Sequence, residues 1–417
     1  MASEKRHMNK LLLLGNNYHV DVLIKLARKR GIYVIVTDNL PIEDSLVKKM
    51  ADEYWDISVS DVDSLEIKAR ESGVNAVLCG ASELCMSAVR ELSKRLNLPF
   101  YVPDKAWEIT NDKNLFKEAC LKCGLTVAEN FKLSIDFLTE DLKKIEYPVV
   151  VKPVDGIASI GMHICRNEQD LIAGYRDAWE HSKSKQVVVE KYCVGDEVML
   201  MFTFSDGKYK LLESTDVIGD KFNGRPFLYG SAPTKYLEMV NNELKKPLEE
   251  LFRLLECKEG VGVIQGIMDK GKLYILEMNY RLPGAKIIYQ EYLCNYILDY
   301  TFKEDYTKDV IMPIQPDVAS YIIWLAPGVI SGIEGLEDIK EKYPNLMADP
   351  TKKVGDIIEQ NSGMRQIFIY FVLVNYKDIY DSFIDYVNKT LKIYDENGND
   401  MIYRYYRKDG IPVPYSE

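Results

Sequence analysis

The stretch Ile275-Leu-Glu-Met-Asn-Tyr-Arg281 carries the most information about the fold of this chain. Alternate side chains of a strand point to the same face, so Glu277, Asn279 and Arg281 are expected to lie together. A carboxylate and an amide oxygen two residues apart supply the hard oxygen ligands that Mg²⁺ prefers. An arginine beside them can hold a phosphoryl oxygen in a bidentate fork. The stretch therefore predicts a strand face that binds a metal ion and a phosphate.

The segment before this strand predicts its partner in a hairpin. Residues 261–268 and 272–278 have strand character and flank the turn sequence Asp269-Lys-Gly271. The hairpin places Gln265, twelve residues before Glu277, where its side-chain carbonyl can reach the same metal ion. The alternative is a polar strand face covered by water, which accounts for a charged surface pair but poorly for the whole set.

The first hundred residues alternate between strand and helix patterns. Strands that alternate with helices predict a parallel, doubly wound sheet with ligand-binding groups at the strand ends. The predicted strands are 11–14, 33–36 and 76–79, and the predicted helices are 20–30 and 83–96.

A dinucleotide-binding dehydrogenase is the first alternative that such a domain suggests. The turn after the first strand, Gly15-Asn-Asn-Tyr-His-Val20, argues against it. A GxGxxG turn needs its second glycine so that the backbone can approach a pyrophosphate, and Asn17 stands in that place. Asp38, at the end of the second strand, suggests a ribose contact but is weak evidence alone. We therefore disfavour a nicotinamide-dependent function.

The pattern changes after about residue 104 to mixed strands and helices, which indicates an α+β architecture. The predicted elements are a helical pair over 105–124, strands over 147–152 and 186–191, a helix from 167 to about 181, a hairpin of 198–204 with 208–213, a helix over 241–256, strands over 319–324 and 366–372, a helix near 378–391 and a hairpin about 395–398.

Composition excludes several classes of protein. The chain has 417 residues, of which 47% are hydrophobic and 28% charged, and its net charge of −11 argues against a nucleic-acid partner. No apolar run approaches the roughly 20 residues that cross a bilayer, so no membrane partner is expected. The start, Met1–Met8, lacks the apolar core of a signal peptide. We interpret residues 1–7 as an extension before the first strand.

The eight cysteines have no metal-ligand spacing. Cys120 and Cys123 form a CxxC, but they lie on a helical pattern and have no second pair. Reduced thiols in a cytoplasmic protein are the interpretation that fits best.

The Glu277, Asn279 and Arg281 pattern, with the domain order, resembles the ATP-grasp superfamily, whose members include biotin carboxylase, D-alanine ligase, carbamoyl phosphate synthetase and the L-amino acid ligases. The resemblance implies a Rossmann-like pre-ATP-grasp domain over 1–105 and a two-subdomain ATP-grasp domain over 106–312. Residues 125–193 would form the ATP lid subdomain. A small C-terminal α+β domain is expected over 313–417.

The resemblance also implies the residues that bind the phosphates of ATP. Lys113 and Lys152 match the two phosphate-binding lysines of the superfamily. The segment after Lys152 resembles the flap that closes over the phosphates, with Gly156, Ser159 and Gly161 approaching them.

The same resemblance assigns the nucleoside end of the site. Glu190, with its neighbours Lys191 and Tyr192, resembles the strand that contacts the adenine edge. Glu197 matches the acid that accepts the ribose hydroxyls.

The metal and catalytic residues complete the implied site. Glu277, Asn279 and Gln265 would hold Mg²⁺ or Mn²⁺, although the superfamily usually has an acid where Gln265 stands, which leaves the metal count open. Arg281 and Lys152 would stabilise charge in the reaction.

The implied reaction joins a small-molecule carboxylate to an amine through an acyl phosphate, and amino acids are one possible pair of substrates. A homodimer is the form common among relatives. A carboxyphosphate-forming or purine-pathway ATP-grasp enzyme remains open, as does a non-catalytic nucleotide-binding module. Lys221, Arg225 and Tyr229 could face a carboxylate. Ser82 and Glu83 follow a parallel strand, where Glu83 either holds an amine or favours the start of its helix.

Overall fold

The computed structural model describes residues 8–155, 161–220, 225–231, 233–284, 288–305, 307, 317–360, 366–375, 379–408 and 411–414. For 218–220, 225–231, 405–408 and 411–414 it describes the main chain alone.

The chain alternates helices and strands along most of its length. The helices are α1 (Val20–Lys29), α2 (Leu46–Met50), α3 (Val62–Ser72), α4 (Glu83–Leu96), α5 (Asp104–Asn111), α6 (Lys113–Lys122), α7 (Thr139–Leu142), α8 (Glu168–His181), α9 (Leu237–Asn242), α10 (Lys245–Leu254), α11 (Gln290–Phe302), α12 (Leu336–Lys342) and α13 (Tyr380–Thr390). The strands are β1 (Lys10–Leu14), β2 (Tyr33–Thr37), β3 (Glu53–Trp55), β4 (Ala76–Cys79), β5 (Thr126–Val127), β6 (Asn130–Phe131), β7 (Val149–Pro153), β8 (His163–Cys165), β9 (Val187–Lys191), β10 (Asp196–Ser205), β11 (Lys208–Asp220), β12 (Arg225–Ser231), β13 (Gly260–Asp269), β14 (Lys272–Asn279), β15 (Val318–Leu325), β16 (Gly328–Val329), β17 (Gly332–Glu334), β18 (Met347–Pro350), β19 (Ile357–Ile358), β20 (Ile367–Val374), β21 (Lys392–Tyr394), β22 (Ile402–Tyr403), β23 (Tyr405–Lys408) and β24 (Ile411–Pro414).

The N-terminal region forms a parallel sheet in the order β3-β2-β1-β4, as the strand and helix alternation predicts. Leu11–Leu14 of β1 are fully buried, which explains the continuous apolar run of this central strand. The strand order reverses between β1 and β4, and such a reversal leaves a crevice at the carboxyl ends of the strands. Gly80 is needed there because a Cβ at this position would lie 1.8 Å from the carbonyl oxygen of Tyr18. The two loops of the crevice therefore pack directly against each other.

A small antiparallel sheet in the order β6-β9-β7-β8 follows in the chain. Its core contains Val149, Val151 and Val189 from the strands and Leu171 and Tyr175 from α8. Asn167 caps α8 by accepting a hydrogen bond from the Asp170 amide, as predicted from the sequence. This sheet has its own core and supports the residues that were assigned to the phosphates and adenine.

The large sheet has the order β18-β20-β15-β12-β11-β10-β13-β14-β5, with β22 also paired to β15. The predicted hairpins β10–β11 and β13–β14 are both present. Lys270 and Gly271 have positive φ values of 48° and 77° in the second turn, which matches the twist of the strands it joins. β12 pairs with β15, so the sheet continues past residue 312 into the C-terminal region. The domain boundaries drawn from the sequence remain predictions.

One predicted helix has the wrong bounds. Residues 241–256 contain the end of α9 and a separate helix α10, because Pro247 lacks an amide hydrogen and belongs in the first turn of a new helix. The hairpin predicted about residues 395–398 is present as a turn closed by an antiparallel bridge between Tyr394 and Asp400, although β21 and β22 also pair with β17 and β15. The sequence predictions also omit α2, β3 and α3.

Candidate active site

A cavity of about 710 Å³ lies between the N-terminal region and the large sheet, and Asp155, just after β7, also lines it. Tyr18, Ala81 and Glu83 reach it from the crevice between β1 and β4. Helices α5 and α6 contribute one wall, and strands β10, β11, β13, β14 and β15 contribute the opposite one. Of the predicted site residues, the cavity is lined by Lys113, Gln265, Glu277, Asn279 and Arg281.

The predicted metal ligands lie side by side on the hairpin. Gln265 of β13 pairs directly with Glu277 of β14. The Asn279 side-chain amide donates a hydrogen bond of 3.0 Å to Glu277 Oε1, which leaves the amide oxygen available for a cation. Gln265 Nε2 lies 3.8 Å from the sulfur of Met199, so its nitrogen points toward β10. The structure therefore brings all three oxygen-bearing side chains to one wall of the cavity.

Glu197 of β10 is a second carboxylate close to Glu277, although it does not line the cavity. Burial, reinforced by the negative charge of Glu277, raises the pKa of Glu197 from 4.5 to about 7. Excess negative charge on a half-buried face favours a cation. Among the described residues, no group of three or more His, Cys, Asp or Glu side chains is arranged to hold a metal ion. One or two carboxylates with amide oxygens suit Mg²⁺, which takes its other ligands from water and phosphate.

Lys113 begins α6 directly after Asp112, whose side chain caps the helix. Its ammonium group donates a hydrogen bond of 3.1 Å to the carbonyl oxygen of Val154. Burial and the nearby positive charge of Lys152 lower the pKa of Lys113. Two ammonium groups that repel each other in this way would both be stabilised by a polyphosphate.

Glu190 lies in the middle of a buried ion cluster, and its side chain is only 4% exposed. Lys152 pairs with one carboxylate oxygen and Lys117 with the other. Burial alone would raise the pKa of Glu190, but the two lysines hold it below its ordinary value. The carboxylate is thus ionised and already engaged, so an adenine contact at this position would fall to the main chain of β9.

The other residues predicted to bind the nucleotide are only partly described. Lys191 pairs with Glu146 on the surface at 3.2 Å, and the Tyr192 amide donates a hydrogen bond to the carbonyl of Pro148. Gly161 has φ +71°. Gly156, Ser159 and Lys221 lie outside the described residues, and for Arg225 and Tyr229 the main chain alone is described.

Arg281 is tied to the N-terminal region. Its Nε pairs with Glu83 in the first turn of α4, and Nη1 donates a hydrogen bond of 2.9 Å to the Leu282 carbonyl. Ser82 caps the same helix, so both residues have local roles at its start. Nearby, buried His19 donates a hydrogen bond of 2.8 Å to the carbonyl of Pro283. Two contacts from the crevice therefore position the segment that follows β14.

Asp38 belongs to a buried structural network. Its carboxylate accepts a hydrogen bond of 2.9 Å from Ser45 and lies 3.2 Å from the ammonium group of Lys48, which is fully buried. These contacts account for the residue without a ribose. Cys120 and Cys123 are free and buried, as are the other six cysteines, in agreement with the prediction of reduced thiols.

Sequence reasoning missed Lys117, Glu213 and His19. Lys117 follows Lys113 by one helical turn, a spacing that could have suggested a second inward-facing lysine. Glu213 of β11 lines the cavity and accepts a hydrogen bond of 3.0 Å from Thr215. His19 follows the turn that argued against a dinucleotide site, and its contact with Pro283 spans 264 positions. No local pattern signals such a contact.

Comparison with known proteins agrees with this geometry. Residues 123–288 match the family model described as the C-terminus of D-ala D-ala ligase. The chain is 24% identical over 266 residues to the large chain of carbamoyl phosphate synthase from Clostridium botulinum, which covers 62% of this chain and 24% of that protein. It thus spans about a quarter of the length of that relative.

Two solved structures share the fold across nearly the whole chain. The L-amino acid ligase from Bacillus licheniformis superposes with a TM-score of 0.75 at 18% identity, covering 94% of this chain and 100% of that one. The phosphoribosylglycinamide synthetase from Anaerococcus prevotii has a TM-score of 0.72 at 17% identity, again covering 94% and 100%. None of the described helices is long and apolar enough to cross a membrane. These matches show that the chain shares the fold of the two solved structures and that residues 123–288 resemble the C-terminus of D-ala D-ala ligase.

Proposed function

We propose that this protein is a ligase that uses ATP to join a carboxylate to an amine. The observation that carries the proposal is the cavity, which places two opposite kinds of charge around one space. Glu277, Asn279 and Gln265 supply oxygen ligands on the large sheet. Lys113, with Lys152 behind it, supplies positive charge from the other side. Such an arrangement suits a triphosphate bound together with a divalent cation.

Glu277, Asn279 and Gln265 are the residues that would hold Mg²⁺, with Mn²⁺ as an alternative. When bound, such a cation neutralises charge on the phosphates and polarises them toward attack. Lys113 and Lys152 would orient the triphosphate. The end of β9, with Lys191 and the following Tyr192, would bind the adenine. The carboxylate of Glu197 would bind the ribose hydroxyls. The loop with Gly156, Ser159 and Gly161 would cover the phosphates.

The reaction follows from this placement. An oxygen of the substrate carboxylate attacks the γ-phosphorus, the bond to the β-phosphate oxygen breaks, and ADP leaves with an acyl phosphate remaining. The amine then attacks the acyl carbon, the carbon–nitrogen bond forms, phosphate leaves, and the amine gives up a proton. Arg281 lies where it can hold the carboxylate and the developing phosphate charge. The loop with Gly156, Ser159 and Gly161 would exclude water, which would otherwise hydrolyse the intermediate.

The acceptor end of the cavity supports an amine substrate. The lining of the cavity includes the carboxylates of Glu83 and Glu213 and the apolar side chains of Met199, Met201 and Ile288. Acidic groups beside apolar surface suit a ligand with an ammonium group and an aliphatic portion. The structural likeness to an L-amino acid ligase supports amino acids as the first substrates to screen.

The test is phosphate release from ATP, screened over pairs of carboxylates and amines. We expect release that needs both partners, and we expect Lys152→Ala and Glu277→Ala to lose it. If both variants turn over like the wild type, the site assignment is wrong.

The likeness to carbamoyl phosphate synthase supports a second candidate, in which bicarbonate is the carboxylate. Phosphate release that depends on bicarbonate and ignores amino acids would favour it. ATP binding with no ADP formed under any pair would instead indicate a nucleotide-binding module.

We further propose a cytoplasmic location, supported by the eight free thiols. A homodimer is proposed on superfamily grounds, and the mass of the protein in solution measures it directly. The domain limits of residues 1–105, 106–312 and 313–417 can be checked by limited proteolysis.

A further inference from the structure

The ion cluster around Glu190 contains one more positive charge than is needed to neutralise its carboxylate. Lys117 and Lys152 each pair with a different oxygen of the same carboxylate. Their side chains are 5% and 15% exposed, so the charges interact in a medium that screens them weakly. One carboxylate and two ammonium groups leave a formal charge of +1 within the protein.

The two lysines of the cluster have different surroundings. Lys117 also donates hydrogen bonds to the side chain of Asn130 and, at 3.4 Å, to the carbonyl of Ala128, which hold its ammonium group beside Glu190. Lys152 lies close enough to Lys113 to lower the pKa of that residue, which lines the cavity. The excess charge therefore lies nearest the cavity on the Lys152 side, behind Lys113.

A buried carboxylate that loses its only partner carries a large energetic penalty. If Lys152 were the sole partner of Glu190, it would have to leave that carboxylate unpaired in order to move to a phosphate. With Lys117 in place, the carboxylate keeps a strong partner. Lys152 can then exchange Glu190 for a phosphate oxygen at a smaller cost.

We propose that Lys117 is a positioning residue that keeps Glu190 neutralised and so makes Lys152 available to the nucleotide. The proposal rests on the proposed function, because it assumes that Lys152 binds a phosphate of ATP. It adds a residue outside the binding cavity, acting through Glu190 on the lysine that contacts the ligand.

The experiment is calorimetric titration of MgATP into the full-length protein, with melting temperature measured in parallel. The variants are Lys117→Met, Lys117→Arg, Glu190→Gln and the double variant Lys117→Met/Glu190→Gln. Lys122→Met, an exposed lysine on the same helix, is the matched control. We expect Lys117→Met to weaken MgATP binding about 10-fold, the scale of one poorly compensated buried charge pair. Lys117→Arg, which keeps the charge, should bind within about 3-fold of the wild type.

The double variant separates positioning from a purely structural role. Once Glu190 is neutral, Lys152 has no carboxylate to hold it, so the double variant should bind MgATP more tightly than Lys117→Met. It should also bind as tightly as Glu190→Gln alone, and this comparison remains available if Lys117→Met does not fold. A structural role would lower the melting temperature and leave binding by the folded fraction unchanged.

Two results overturn the proposal: Lys117→Met binding MgATP like Lys122→Met, or the double variant binding more weakly than Glu190→Gln. The proposed function fails in a different way. If Lys152→Met binds MgATP like the wild type, the nucleotide site itself is misplaced. If Lys152→Met is defective while the Lys117 variants behave normally, only the role of Lys117 is wrong.

Discussion

The ion cluster around Glu190 and the strand face that carries Glu277 handle charge in opposite ways. In the ion cluster, the charges are paired within the protein, since Glu190 is ion-paired to both Lys117 and Lys152. On the large sheet, Glu197 and Glu277 repel each other, and the pKa of Glu197 rises to about 7 as a result of burial and this repulsion. The ion cluster is stable as it stands, whereas the strand face would be stabilised by a cation. Nucleotide binding is therefore expected to break an existing ion pair, whereas metal binding is expected to relieve the repulsion between two carboxylates.

The largest expected effect comes from removing the positive charge of Lys152, the lysine of the ion cluster that is proposed to bind a phosphate. Lys152→Met should lower turnover of ATP about 100-fold, the usual scale for losing one preorganised electrostatic contact. Lys144→Met, an exposed lysine that pairs with Asp141 on the surface, is the matched control. Steady-state phosphate release measures both, and equal rates would show that the ion cluster plays no part in the reaction.

The next effect concerns Arg281, which joins the metal-binding strand to the N-terminal region. Glu83→Gln removes its ion pair, and we expect turnover to fall about 10-fold because the guanidinium group loses its fixed position. Glu91→Gln alters another ion-paired glutamate on the same helix without touching the cavity. Comparison of kcat for the two variants tests this role, and identical values would show that Glu83 does not position Arg281 for the reaction.

The repulsion on the large sheet predicts a pH-dependent stability. Because the pKa of Glu197 in the fold is about 7, above its ordinary value of 4.5, the favourable contribution of the neutral carboxyl is complete below pH 4.5 and is lost as pH rises through 7. Glu197→Gln stays neutral throughout. We expect it to be more stable than the wild type by about 1 kcal/mol at pH 8 and similar at pH 4.5.

Denaturant unfolding at the two pH values measures this difference. A gain at pH 4.5 as large as that at pH 8 would contradict the assignment of the effect to the charge.

The smallest effect is expected from strengthening the acidic wall. Gln265→Glu places a third carboxylate opposite Glu277, so the Mg²⁺ concentration needed for half-maximal turnover should fall a few-fold. Titration of turnover with Mg²⁺ tests it. An unchanged or higher requirement would mean that Gln265 does not face the ion.

Part of this site follows from local sequence patterns. The strand period places Glu277, Asn279 and Arg281 on one face, and the turn at Lys270-Gly271 fixes the hairpin that carries them. The helix α3, by contrast, escaped prediction because only Leu65 and Ala69 are buried on it, although Asp61 and Gly73 cap its ends.

The remaining contacts depend on tertiary structure. Lys117 lies 73 positions from Glu190, and Arg281 lies 198 positions from Glu83. A lysine or glutamate on a helix has the same local appearance whether it faces solvent or a distant partner. The sequence therefore indicated the residues of the strand face, and the fold was needed to show how their charges are balanced.

Calorimetric titration of ATP with and without Mg²⁺ tests the central claim most directly, using the wild type, Glu277→Gln and Lys152→Met. If the ion cluster and the strand face act as described, Mg²⁺ strengthens wild-type binding at least about 10-fold. Glu277→Gln should then lose that dependence while keeping its metal-free affinity, and Lys152→Met should be weaker in both conditions. Wild-type affinity that ignores Mg²⁺, or Glu277→Gln retaining the full dependence, would contradict the account.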